Sequence, residues 1–507
     1  MRLTGELMNG KVAVIGIDGM DSLLVEQFLE DMPNFRQLRE KSPAYRFTSI
    51  FPPDSTPAWA SIYTGLTPAT HGLINFINPG DKNGTVSRRE ITDADLKGRT
   101  FWDLAGKQGK RVCLVLPFNI FPGWPVNGAM VCRVNTVASR SHPLSALPGS
   151  LLERYSASST DLNMLQEYFS RKDFPKLIEM CRRRTLAEGE LAGKMLRGED
   201  WDLFLVYFSA LDGIQHFFWS FFDETHPHYP GDNRFKEVIK DFYVLMDQLV
   251  GEIVKALGNI PIIILSDHGH GIRPTNLLNI NEVLRRHGYL ASAQKAGKKV
   301  NPWLKASRIK QLLTAYVQRF GVGNLGLKLA QKFPLWKRLL ASPLAIDWNR
   351  TQAYVTDLSA IKSYSYGGIR LNRDLVSEAA LDGVIQEILA LLGEIQDPQT
   401  SRPIVKFAGK REDLYTGPYI DRYPEIVLEL EEGYGLGWEI DGPLFDYGFM
   451  HSLQPGSHKK DTPVLYTLNL AADATRPLTL MDLAPTILAC LGVAPERAFE
   501  GESFVRA

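Results

Sequence analysis

Long apolar runs are missing from this 507-residue chain. No stretch approaches the roughly 18 to 20 unbroken apolar residues that a membrane span needs. The opening MRLTGELMNGKVAVIGIDG has no apolar core ahead of a cleavage-like site. No signal peptide is therefore expected, and the expected location is the cytoplasm. Cysteine is scarce: Cys113, Cys132, Cys181 and Cys490 are scattered, with no CxxC pair. Neither a disulfide framework nor a thiolate zinc site is expected from that usage. An excess of either charge is also absent. Lys plus Arg number 57, and Asp plus Glu number 57. The whole chain thus has no general attraction for nucleic acid. Repeats and low-complexity tracts are lacking too. What is present, 44% hydrophobic and 22% charged residues, is ordinary for a soluble globular protein. The length allows roughly two to four domain-sized units.

Three apolar runs share one design. KVAVIGIDG delivers Asp18, WDLFLVYFSALDG delivers Asp212, and IPIIILSDHG delivers Asp267. Each is a buried-strand pattern that stops at an acidic residue with glycine close behind. Helical patterns such as RFKEVIKDFYVLMDQLVGEIVKALG lie between them. Buried strands alternating with helices imply an α/β fold with a mostly parallel central sheet flanked by helices. Further strands are expected at RVCLVLPF, PEIVLEL and PVLYTLN, and a helix at LMDLAPTILACLG. In such sheets the functional crevice lies at the carboxyl ends of the strands. Carboxylates delivered together to one edge repel one another unless a cation neutralises them.

Asp212 and His216 are four residues apart, so a helix beginning there turns both to one side. Asp267 and His268 sit together at a strand end. A capping aspartate beside a hydrogen-bonded histidine explains either pair alone equally well. Taken with Asp18, three strand ends supply oxygen and imidazole donors, a set that suits zinc or manganese. The segment SIFPPDSTPAWASIYTG reads as a turn running into a helix. Ser55 or Thr56 there can cap the helix, or one can be a nucleophile. Two ions roughly 4 Å apart would activate such a hydroxyl and bind phosphoryl oxygens, which makes chemistry the better reading of Ser55.

IGIDGMD, PPDSTPAWASIYTGLTPATHG, LDGIQH, LSDHGHG and GSHKKDTPVLYTLN occur in that order along the chain. Together they resemble the ordered motifs of the alkaline phosphatase superfamily. The resemblance is to its type I phosphodiesterase/nucleotide pyrophosphatase group and the bacterial phosphohydrolase/phosphomutase relatives. It runs from about residue 10 to the C-terminus. It implies an alkaline phosphatase-like α/β fold with helical insertions. It implies two divalent metal ions, zinc or manganese, and a small phosphate-ester substrate. Carried over by motif, Asp18, Ser55, Asp267 and His268 would hold one metal. Asp212, His216 and His458 would hold the second. Ser55 would be the catalytic nucleophile, with Thr56 as the fallback. His451 is a rival to His458 as the last ligand. His71 is read as structural and His270 as peripheral. Lys459 and Lys460 are read as a solvated pair or as contacts to substrate phosphate. Trp59 replaces the arginine of the similar sulfatase motif, so no sulfatase role is expected. A phosphohydrolase working through a phosphoseryl intermediate is the leading expectation, and a phosphomutase or phosphotransferase the alternative.

The expected organisation is a first part of the catalytic core over 10–290, with a helical insertion at about 140–200. A basic helical insertion or cap follows over 291–346, and the remainder of the core occupies 347–507. The 291–346 segment holds eleven Lys or Arg and no acidic residue. Trp303, Phe320, Phe333 and Trp336 are interleaved with them. A solvated face, peripheral contact with an anionic membrane, and a lid over the crevice are all consistent with that pattern.

Overall fold

The structure is a computed structural model of the chain. It describes residues 10–74, 93–133, 144–156, 162, 173–292, 346–356, 364–437, 439–447 and 454–506. His451 and all but the ends of the basic segment 291–346 lie outside the described residues.

The central sheet has seven strands. In chain order they are β1 (Val12–Ile17), β2 (Val112–Val115), β3 (Gly128–Cys132), β4 (Ser145–Leu147), β5 (Leu203–Phe208), β6 (Ile262–Leu265) and β7 (Leu465–Leu468). Across the sheet the order is β7-β6-β1-β5-β2-β3-β4. The five inner strands are parallel; only the edge strands β4 and β7 run antiparallel to their neighbours. The α/β class with a mostly parallel sheet is thus as the apolar runs imply.

Strands β1, β5 and β6 are buried at every position. This is why their sequences are continuous apolar runs and do not alternate with polar residues. Within β1, Ala13, Ile15 and Ile17 join one apolar cluster with Phe28 and Phe242, while Val12 and Val14 join another with Trp59 and Trp102. Fully burying each such aliphatic side chain contributes about 1.5–3 kcal/mol. Both faces are covered by helices. Among them are α1 (Ser55–Thr64), α2 (Phe174–Gly198), α3 (Ala210–Phe222) and α4 (Val238–Leu257). No helix among the described residues is long and apolar enough to cross a membrane.

Register decides what the sheet presents. Ile17 lies beside Phe208, and Gly16 beside Leu265. The carboxyl ends of β1, β5 and β6 therefore finish nearly level, and Asp18, Asp212 and Asp267 leave the sheet at one edge. A second, four-stranded antiparallel sheet forms from Ala353–Thr356, Tyr366–Leu371, Ile426–Leu430 and Val405–Lys410. It packs with the helix Glu378–Gly393 around its own apolar cluster, which includes Ile369, Ile388 and Leu428. The chain then returns to the central sheet through β7 and the helix Leu483–Cys490. All four cysteines are buried and free.

Candidate metal centre

The edge above β1, β5 and β6 gathers every described candidate ligand. Asp18 follows β1, and its backbone N–H is fixed by the carbonyl of Phe208 at 2.9 Å. Gly19 then turns with φ +65°, a conformation that favours glycine. A Cβ at Gly19 would lie 3.1 Å from Asp212 Oδ1 and 3.3 Å from His268 Cε1. The glycine thus allows the backbone to pass between the two groups of ligands. It also donates its N–H to Asp267 Oδ1 at 3.2 Å.

Ser55 opens α1, yet it is not the cap. Asp54 takes that position, its Oδ1 accepting from Thr56 N at 3.4 Å. Thr56 Oγ1 is engaged elsewhere, accepting from Asn119 Nδ2 at 3.1 Å. The Ser55 hydroxyl is left to point at the cluster, 3.4 Å from Asp18 Oδ1 and 3.2 Å from His268 Nε2. The cap and the hydroxyl that faces the cluster thus belong to neighbouring residues.

Asp18, Asp267 and His268 bring one ligand atom each within 4.8 Å of one another. His268 Nε2 lies 3.5 Å from Asp18 Oδ1 and 3.4 Å from Asp267 Oδ2. The Tyr207 hydroxyl donates to Asp18 Oδ2. On the other side, Asp212 and His216 share the first two turns of α3, with His216 Nε2 3.4 Å from Asp212 Oδ1. His458 arrives on a separate ribbon strand, Gly456–Lys459, which pairs antiparallel with Gly269–Ile272. Its Nε2 is 3.5 Å from Asp212 Oδ1 and 3.0 Å from His216 Nε2.

The donor chemistry fits cations. His268 Nδ1 faces the Gly269 carbonyl at 2.9 Å, His216 Nδ1 faces Gly456 O at 3.0 Å, and His458 Nδ1 faces Pro53 O at 2.8 Å. A carbonyl only accepts, so each ring places an N–H on Nδ1 and turns Nε2 inward, as the atom a cation would take. This is how metal-ligating histidines are commonly oriented. The Nε2 atoms of His216 and His458 lie 3.0 Å apart, close enough to share one cation or one proton. Asp212 Oδ1 and Asp267 Oδ2 are buried without a hydrogen-bond partner. Leaving a buried charged acceptor unsatisfied costs more than the roughly 1–3 kcal/mol of a neutral one.

The carboxylates carry the same message. Burial, then the charges of Asp267 and Asp212, raise Asp18 well above the usual carboxylate range. Burial, with Asp212 adding to it, pushes Asp267 up to about 8. A divalent ion bound there would offset both causes by neutralising the carboxylate charge.

Two readings change in place. His270, expected at the periphery, lies inside the cluster with its Nδ1 3.5 Å from Asp212 Oδ1. Its position two residues beyond His268 on an extended segment was the available signal, since alternate residues share a face. Lys459 and Lys460 are held by acidic partners: Lys459 Nζ by Glu432 at 2.8 Å, and Lys460 Nζ by Glu429 at 3.2 Å. His71 lies apart from the cluster. Its Nδ1 accepts from Leu73 N and its Nε2 meets Ser61 Oγ, both at 3.1 Å, and burial lowers its pKa to about 3. That is a neutral histidine closing a turn.

Among solved structures, phosphonoacetate hydrolase from Sinorhizobium meliloti 1021 is similar at 15% identity. The alignment covers 95% of each chain with a TM-score of 0.53. A variant of the alkaline phosphatase PafA is similar at 14% identity, over 97% of this chain and 98% of the other, with a TM-score of 0.50. These likenesses show a shared fold. No curated protein matches the chain. The family description "Type I phosphodiesterase / nucleotide pyrophosphatase" matches residues 12–436, most of the chain. The stretch from β1 through the second sheet, with six of the seven expected metal-site residues on it, therefore belongs to the type I phosphodiesterase/nucleotide pyrophosphatase family, and the chain is a metal-dependent phosphoric ester hydrolase of the alkaline phosphatase superfamily.

Proposed function

We propose that this enzyme is a dinuclear phosphohydrolase, a phosphodiesterase or phosphatase, that works through a phosphoseryl intermediate on Ser55. The observation that carries the reading is the Ser55 hydroxyl, released from capping by Asp54 and aimed between Asp18 Oδ1 and His268 Nε2. Asp18, Asp267, His268 and Ser55 would hold one ion, and Asp212, His216 and His458 the other. When bound, two zinc or manganese ions supply the Lewis acidity that acidifies the serine hydroxyl and stabilises the leaving oxygen.

The chain supplies the rest. The Ser55 hydroxyl gives its proton to water and Oγ attacks phosphorus; the ester oxygen departs opposite, takes up a proton from water, and a Ser55 phosphoester forms. Water then cleaves that ester and restores the hydroxyl. Ser55 stands at the N-terminus of α1, where the helix dipole favours the phosphoryl oxygens. The Nδ1 contacts to backbone carbonyls keep the histidine rings from rotating during turnover.

The test is removal and return of metal. Chelated protein should lose turnover of aryl phosphate mono- and diesters and regain it with zinc or manganese. Acid-quenched enzyme should carry phosphate on the peptide containing Ser55. Absence of turnover with every metal and ester, or phosphate trapped on another residue, refutes the proposal. Labelled phosphate passing between substrate positions without release would replace it with the mutase reading.

A further inference from the structure

We propose that His270 is a fourth protein ligand, through Nδ1, of the ion assigned to Asp212, His216 and His458, and that it biases this position toward zinc. The proposal rests on the two-ion reading above. It begins with the ribbon. Gly269–Ile272 and Gly456–Lys459 pair antiparallel with His270 directly opposite His458. Directly opposed residues carry their side chains on the same face. The pairing that delivers His458 to the cluster therefore delivers His270 as well.

Distances agree. His216 Nε2, His458 Nε2 and His270 Nδ1 stand 3.4, 3.5 and 3.5 Å from one oxygen, Asp212 Oδ1. Zinc bonds to nitrogen or oxygen are about 2.0–2.1 Å, so donors at two corners of its tetrahedron are about 3.3 Å apart. Three imidazole nitrogens thus keep from one carboxylate oxygen nearly the separation that a single shared ion imposes. A hydrogen bond from His270 to Asp212 would be long at 3.5 Å.

His270 is also unlike any ordinary buried histidine. It is 1% exposed, and neither ring nitrogen has a hydrogen-bond partner. Asp212 Oδ1, which its Nδ1 faces, has none either. The ring is held from behind. Trp219 lies 5.6 Å away ring to ring, and a Cβ on Gly456 would fall 2.6 Å from His270 Nε2. Gly456 is the position that gives this imidazole room.

Three nitrogens and one oxygen would complete a tetrahedral shell at rest, which would expand to five donors when the leaving oxygen binds. Such a nitrogen-rich set prefers zinc to manganese, which favours oxygen donors. The second position, built from Asp18, Asp267, His268 and Ser55, has one imidazole only.

The experiment measures metal binding rather than activity. Wild type, His270→Phe, His270→Gln and Asp212→Asn are stripped of metal. Each is titrated with zinc and with manganese against a competing chelator, and with cobalt followed by visible absorption. In His270→Phe, zinc at one of two positions should weaken by more than about 100-fold, beyond the 10–100-fold typical of an outer-shell group. Manganese should weaken much less, and the cobalt bands should shift. Unchanged zinc affinity and unchanged cobalt bands in His270→Phe overturn the proposal. So does zinc affinity fully restored in His270→Gln together with wild-type cobalt bands, which would mark a hydrogen-bonding role. Asp212→Asn separates the two levels. If it alone loses an ion, only the His270 ligand fails; if it too keeps both ions, the placing of the second ion at Asp212 fails, and wild type that never holds more than one ion defeats the two-ion reading. The wild-type chain gives an independent count whatever the variants do. Loaded with ¹¹³Cd and ¹⁵N-labelled histidine, one ion should couple to three imidazole nitrogens. Coupling to two overturns the assignment.

Discussion

Around Asp18 the donors are mostly oxygen: two carboxylates, a serine hydroxyl and one imidazole, with the Tyr207 hydroxyl bonded to Asp18 behind them. Around Asp212 they are mostly nitrogen: one carboxylate facing His216, His458 and His270. The two groups meet through His268, whose ring stacks on that of His458 at 3.8 Å. The oxygen-rich group collects negative charge and holds the hydroxyl beside it. The nitrogen-rich group collects lone pairs and has no hydroxyl. Burial has opposite effects on the two. It raises the pKa of Asp18 and Asp267, and it drives that of His270 well down, helped by His216 and His458. Asp18 and Asp267 therefore hold protons more tightly than usual, and His270 less tightly. On the two-ion proposal, a pair of cations would relieve both, although for different reasons.

The sharpest way to break this contrast is to remove the hydroxyl. Ser55→Ala should lower turnover by about 10⁴-fold or more, the scale seen when a catalytic nucleophile is removed. Because Asp54 holds the cap, stability should change by less than about 1 kcal/mol. Steady-state turnover and thermal unfolding measure the two effects. Thr56→Ala, whose hydroxyl is bonded to Asn119, should keep most of the activity. The opposite result would move the nucleophile by one residue.

Next in size is the loss of one ion. Asp212→Ala or His458→Ala should take bound metal from two ions per chain toward one, as read by elemental analysis. The ion near Ser55 should remain. Loss of both ions would mean that the two groups form one indivisible site.

Acidity discriminates between the groups more gently. An acid whose folded pKa exceeds its unfolded value makes the folded chain the better proton binder. Its stabilising effect is complete below the unfolded pKa and is lost as pH rises through the folded one. For Asp267 that window runs from about 4 to about 8. Metal-free protein should therefore melt at progressively lower temperature across it, and metal-loaded protein should not show this decline. Metal uptake near pH 6 should release protons, measurable as a buffer-dependent heat. A metal-free melting temperature that rises over the same window would contradict the electrostatic account.

The smallest effects belong to the frame. Gly19→Ala places a Cβ at a left-handed position and against Asp212, so about 1–2 kcal/mol of stability should be lost. Lys460→Ala removes an ion pair at a partly exposed site, and less than about 1 kcal/mol should change. KM should stay near the wild-type value in the lysine variant. A large rise in KM would place Lys460 on the substrate after all.

Much of this centre could be read before any fold was known. Strands buried on both faces must be continuous apolar runs, so β1, β5 and β6 stand out, and the aspartates that follow them are conspicuous. The i, i+4 spacing of Asp212 and His216 likewise survives folding unchanged, because it is local to α3. The second sheet was harder to see. Its strands are short, and each finds its partner only after long excursions, as when Ile369 meets Ile426.

The sequence by itself determined the chemistry available: three carboxylates following strands whose apolar patterns predict them, with the histidines and a serine. Tertiary structure decided their placing. Asp54, not Ser55, became the cap because the helix N-terminus lies where the serine can face Asp18. His270 entered the cluster because its ribbon pairs with a strand nearly two hundred residues away, in the register that sets it opposite His458. Periodicity tells which face of its own element a side chain shares. Register between distant strands is set by packing of the whole chain, and only that packing places two such faces around one point.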